Sequence, residues 1–131
     1  MILLDTHVLV WAVADAARLS RAAAREIEKA YRGGGCAIAS ITFWELALLF
    51  GKGRLRGAGT IGASIAEIVE RARVQVLEIS PEIADLAIAF PEDYPKDPAD
   101  RLIGATARSL GLTLVTQDAR IQSSPLIKTV W

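Results

Sequence analysis

The chain has 131 residues, 52% of them hydrophobic, which fits one domain with a real core and excludes a disordered chain. Fifteen basic residues balance fifteen acidic ones, so the basic excess of a protein that coats nucleic acid is missing, while a small phosphate site served by bound metal remains compatible. No apolar run approaches the roughly 20 residues that cross a bilayer, no signal peptide opens the chain and the lone Cys36 allows no internal disulfide, so a cytoplasmic protein is expected.

In chain order, Ile2-Leu3-Leu4 reads as a short strand buried on both faces, ending at Asp5. Nothing regular is assigned between Asp5 and Ser20. Ser20 caps a helix to residue 31, with Ala23, Ile27 and Ala30 at helical spacing, and Gly33-Gly34-Gly35 ends it. Residues 36–39 read as a second strand. A helix over 42–50 is apolar on nearly every side apart from Glu45, so it should be buried all round, partly against another chain. Residues 60–73 form a further helix, 74–79 a strand, and Ser80-Pro81 starts a helix to about 89. A turn-rich connection over 91–98 leads to a helix that Asp97-Pro98 opens and Gly111 stops. Residues 112–116 read as a strand, 118–122 as a helical turn and 127–130 as a last strand. Strands alternating with helices imply right-handed parallel crossovers, hence one layered α/β domain over 1–131 with a central, mainly parallel sheet.

Ligands of such sheets bind beyond the carboxyl ends of the strands. Asp5 ends the first strand, and Asp118 lies just past residues 112–116. Glu45 and Asp100 fall in the first turns of helices that begin on the same edge. These four carboxylates can converge, and like charges about 4 Å apart repel by about 4 kcal/mol at an effective dielectric near 20. Such a cluster either binds protons or recruits a cation. Hard oxygen ligands without a histidine or cysteine set favour Mg²⁺ or Mn²⁺, which suits phosphodiester hydrolysis.

Each acid also has a plainer reading. Thr42 and Glu45 have the spacing of a capping box. Asp97 is a natural N-cap ahead of Pro98 and is assigned mainly to structure. Asp100 can complement the helix dipole, and Asp118 can cap its own turn. Asp5 has no helix obviously needing it, which favours a chemical role. His7 lacks a partner ligand and reads as a helix-entry or rim residue. Trp11, Trp44 and Trp131 read as core or interface, and Lys52, Arg54 and Arg56 as a solvated basic run.

With those acids in place, the chain resembles the PIN-domain family, particularly VapC-type toxins of bacterial toxin–antitoxin pairs. The resemblance rests on LLDTHVLVW (3–11), ASITFWELALL (39–49), DPADRLIGATARSLGLTLVTQD (97–118) and KTVW (128–131). It implies a three-layer α/β/α fold with an acidic pocket of Asp5, Glu45, Asp100 and Asp118. Asp5 and Asp100 would be the principal metal ligands, with Asp118 as a further one, and Thr6 and Thr116 would supply pocket hydroxyls. It further implies RNA cleavage with Mg²⁺ or Mn²⁺, a homodimer, and a cognate antitoxin that places a basic side chain among the acids. His7 stands where other branches carry asparagine or serine. Two rivals remain open at this level. A phosphoacceptor signalling domain would need paired acids after the first strand, where Thr6 and His7 stand. A non-catalytic binding module would use the fold only as a scaffold.

Overall fold

Five short strands, Ile2–Leu4 (β1), Cys36–Ala39 (β2), Gln75–Leu77 (β3), Thr113–Val115 (β4) and Thr129–Val130 (β5), form the sheet of the computed structural model, which describes residues 1–131. Their order is β3-β2-β1-β4-β5 and every pairing is parallel. β1 lies in the middle, with Leu3 level with Ala37 on one side and Leu114 on the other. Parallel strands covered on both faces need no polar side, and every residue of β1 and β2 is buried.

The pleat sorts the core into two halves. Leu3, Ala37, Ala39 and Leu114 pack with the helices Pro81–Ala89 (α5) and Pro98–Leu110 (α6). Ile2, Leu4, Cys36, Ile38 and Val115 pack on the opposite face. There they meet the helices Thr6–Ala14 (α1), Arg21–Tyr31 (α2), Thr42–Gly51 (α3) and Ile61–Ala72 (α4). A seventh, one-turn helix, Ala119–Gln122 (α7), follows β4. The result is the three-layer α/β/α architecture that the alternating pattern implied. Ser20, Thr60 and Ser80 cap α2, α4 and α5 as side-chain acceptors, and Gly111 takes the left-handed conformation that ends α6. The two edge strands are shorter than 74–79 and 127–130 because each pairs on one side only and stops where its neighbour stops.

One expectation about the elements needs correction. The stretch after Asp5, left without an element, is α1, and Asp5 is its N-cap, accepting from the Thr6 N–H. Val8 to Val13 shows no polar face, so helical periodicity had nothing to register there. Helix α3 buries one side within its own domain, the share that one small domain was expected to cover. Only Thr42 and Leu46 are buried, and Phe43, Trp44 and Leu48 are exposed, Trp44 to 60%.

Strand order runs outward from β1 in both directions, so the crossovers diverge there and leave a crevice at the carboxyl ends of β1 and β4. Asp5 and Thr116 stand at those two ends.

Candidate active site

The crevice is a cavity of about 460 Å³ lined by Asp5, His7, Val8, Trp11, Glu45, Asp97, Asp100, Gln117 and Asp118. Five carboxylates and no lysine or arginine face it. All four acids singled out in the sequence therefore share one pocket, as does Asp97.

Each acid is positioned by the local fold. Asp5 caps α1, and its second oxygen accepts the Thr116 hydroxyl at 2.7 Å. Glu45, one turn into α3, accepts the hydroxyl of buried Thr6 at 2.5 Å, and Thr6 also meets Thr42 at 3.0 Å. The capping box drawn between Thr42 and Glu45 is thus not formed: Ile41 occupies the cap without a side-chain bond, and Glu45 turns toward α1. Asp97 caps α6 through the N–H groups of Ala99 and Asp100, as its sequence position implied. Asp118 caps α7 and pairs with Arg120 at 3.1 Å. Thr6 and Thr116 thereby act as hydroxyl props for acids on neighbouring elements, and the Thr116 oxygen also receives the Asp118 N–H.

The tightest group is Glu45, Asp97 and Asp100, whose ligand oxygens all lie within 4.8 Å of one another. Burial pushes Asp100 up to about 7, and the charges of Asp5, Asp97, Glu45 and Asp118 add to the shift. Burial also raises Asp5 and Glu45, in part against the hydrogen bonds from Thr116 and Thr6. Asp118 goes the other way: burial would raise it, but the bonds and charge of Arg120 outweigh that and hold it low. A pocket whose acids resist losing their protons is short of positive charge. The donors are all hard oxygens, gathered from the starts of four helices, the set that suits Mg²⁺ or Mn²⁺ rather than zinc, so the residues present fit such an ion.

Asp97 is the pocket residue that its sequence position assigned mainly to structure. The signal was present, since an N-cap acid three residues before Asp100 lies on the same first turn and faces the same side. His7, exposed at the second position of α1, is a rim residue, as expected. Trp11 is buried and packs against Trp131, with the Arg18 guanidinium over its ring at 4.8 Å, so it serves as wall and core. Lys52, Arg54 and Arg56 are exposed, and none of them lines the acidic pocket. No helix is long and apolar enough to cross a membrane.

Comparison with known proteins points one way. Residues 2–124 match the PIN domain family. The chain is 41% identical over 132 aligned positions to Ribonuclease VapC22 of Mycobacterium tuberculosis, covering 99% of this chain and 98% of that protein. Among solved structures, VapBC2 from Rickettsia felis bound to a DNA fragment from its promoter superposes with a TM-score of 0.73 at 18% identity, covering 99% of this chain and 98% of that one. DNA-bound VapBC from Salmonella typhimurium gives 0.72 at 20% identity, with the same coverage. At such identities the structures speak for the fold alone. The match across residues 2–124 and the 41% identity over nearly the whole length show that this chain belongs to the PIN domain family.

Proposed function

We propose that the chain is a metal-dependent ribonuclease, the toxin of a toxin–antitoxin pair, and that its five-acid pocket is the cleavage site. The observation that carries this reading is the convergence of Glu45, Asp97 and Asp100 within 4.8 Å, beside Asp5 and Asp118, with no lysine or arginine in the lining. The relative named as a ribonuclease supports RNA as the substrate class. Asp5 and Asp100 would be the principal ligands of Mg²⁺ or Mn²⁺, with Asp118 and Asp97 completing the set. Such an ion, when bound, supplies a Lewis acid for a phosphate oxygen and lowers the pKa of an attacking water.

The chain's own groups do the rest. Thr6 and Thr116 fix the rotamers of Glu45 and Asp5, so these carboxylates need no reorganisation when substrate arrives. The N-termini of α1, α3 and α6 open toward the pocket and offset part of its negative charge. Glu45, whose proton affinity is raised by burial, is suited to take a proton from the attacking water. The test is cleavage of a panel of structured RNAs by the purified chain with Mg²⁺ or Mn²⁺, against the same reaction with chelator. Cleavage that ignores the chelator overturns the reading.

Asp97 then has two duties. Asp97→Ala is expected to cost about 0.5–2 kcal/mol through the lost cap and also to weaken metal binding. Asp100→Ala should weaken binding more and leave the melt as high or higher. Thermal melts and Mn²⁺ titrations of the two variants check this pair, and the reverse ranking would contradict it.

The partners are part of the proposal. Phe43, Trp44 and Leu48 on α3 and Ile88 on α5, 84% exposed, are apolar surface left uncovered. A homodimer and an antitoxin segment would cover them, the latter with a basic side chain set among the acids. Light scattering at micromolar concentration should report a dimer, and a monomer across that range would remove it. Co-expression with the product of an adjacent small reading frame should suppress cleavage, and unchanged cleavage would remove that partner.

A further inference from the structure

Arg101 follows Asp100 on α6 and is half-buried, yet no carboxylate pairs with it. A cation withdrawn from water normally finds an anion. Here the guanidinium spreads over four backbone carbonyls instead. Its Nε donates to Pro95 at 3.0 Å, Nη1 to Ala87 at 3.2 Å and Phe90 at 3.1 Å, and Nη2 to Pro91 at 3.3 Å. Ala87 and Phe90 carry carbonyls that the end of α5 leaves without helical partners. Pro91 and Pro95 belong to the connection that delivers Asp97.

A second fastening lies beside the first. Tyr94 is buried, stacks on Phe90 at 4.0 Å between ring centroids, and donates its hydroxyl to the Asp100 carbonyl at 3.2 Å. Its hydroxyl passes so close over Gly104 that a Cβ there would lie 2.2 Å away. The end of α5, the connection and the first turn of α6 are thus tied into one body, and that body carries Asp97 and Asp100.

The tie has a purpose where it stands. Asp97 and Asp100 share a tight oxygen cluster with Glu45, and their mutual repulsion pushes the start of α6 away from α3. We propose that Arg101, assisted by Tyr94, is a positioning residue that holds Asp97 and Asp100 at the spacing a divalent cation requires. It acts through the backbone of residues 87–97 and touches neither substrate nor ion. The role needs arginine. Its planar fork of five donors reaches several carbonyls at once, whereas a lysine ammonium keeps the charge and offers three donors from a single point. The inference rests on the metal-binding reading above.

The test is Mn²⁺ binding, followed by the electron paramagnetic resonance of free Mn²⁺, for the wild-type chain, Arg101→Lys and Ile27→Val. Ile27 lies in the other half of the core, across the sheet, and reports what loss of stability alone does. Arg101→Lys should bind about tenfold more weakly, the scale of outer-shell partners, and its cleavage should recover as Mn²⁺ is raised. Ile27→Val should bind as wild type does. Wild-type affinity in Arg101→Lys, or an equal loss in Ile27→Val, overturns the inference. If Arg101→Lys does not fold, Tyr94→Phe decides, since it keeps the stacked ring and removes only the hydroxyl's bond to Asp100. A weaker Mn²⁺ affinity in Tyr94→Phe supports the clamp, and wild-type affinity overturns it. A wild-type chain that binds no Mn²⁺ overturns the proposed function itself.

Discussion

Asp5→Asn is expected to lower RNA cleavage by about 10³-fold, equivalent to about 4 kcal/mol of barrier, while melting no lower than the wild-type chain. Asparagine caps helices about as well as aspartate, so its side-chain oxygen still accepts the Thr6 N–H that starts α1. The amide offers a donor where the second carboxylate oxygen stood, and the Thr116 hydroxyl can rotate to accept it. The fold therefore loses little. What disappears is one negative charge at the end of β1, which the proposed site needs for a hard cation and which is costly when no cation is present. If Asp5 were only the cap of α1, the same substitution would leave cleavage intact. Rates and melts on one preparation separate the two roles, and retained metal-dependent cleavage would remove Asp5 from the site.

The metal-free chain should lose stability as pH rises from about 5 to 8. Asp100 binds its proton more tightly in the fold, with its pKa up to about 7 from an ordinary 3.8. Between those values the native state carries more protons than the unfolded chain, so stability falls with rising pH across that window. Asp5 and Glu45, both raised, act in the same direction. Asp118, held low by Arg120, acts in the opposite sense but only below the ordinary carboxylate range. A shift of about three units would be about 4 kcal/mol for a buried group. Asp100 is only half-buried, and solvent screening brings the expected loss to about 1–2 kcal/mol. Asp100→Asn should flatten the slope, and Mg²⁺ should flatten it in the wild-type chain by taking the place of the protons. Urea melts at pH 5 and pH 8 with chelator check this. A wild-type slope that survives Asp100→Asn unchanged would place the titrating group elsewhere.

Much of this was legible in the residues, for reasons that can be named. Ser20, Thr60, Ser80 and Asp97 announce helix starts through side chains that bond locally, so they hold whatever the tertiary context. Asp5 and Asp118 follow apolar strands, and strand ends of a parallel sheet lie on one edge, so their convergence follows from topology. What stayed hidden depends on contacts between elements. Helix α1 has no polar face from Val8 to Val13, and its cap is the residue that also lines the pocket, so two roles of Asp5 looked like one. The capping box at Thr42 failed because Thr6, 39 positions before Glu45, offered a buried hydroxyl, a pairing no local pattern records. Asp97 looked mainly like a cap, and only the fold brings its carboxylate within 4.8 Å of the oxygens of Glu45 and Asp100. The apolar composition of α3 says that its exposed side prefers cover, and nothing local says what provides it.

We propose that the acids gathered beyond the carboxyl ends of β1 and β4, Asp100 at the start of α6 among them, hold the cation that RNA cleavage needs. The most direct test measures cleavage rate and bound Mn²⁺ in the same solution as Mn²⁺ is titrated, for the wild-type chain and for Asp100→Asn. Wild-type cleavage should saturate along the binding curve, and Asp100→Asn should weaken both together. Cleavage that persists without bound Mn²⁺, or that Asp100→Asn leaves unchanged while binding falls, would contradict it.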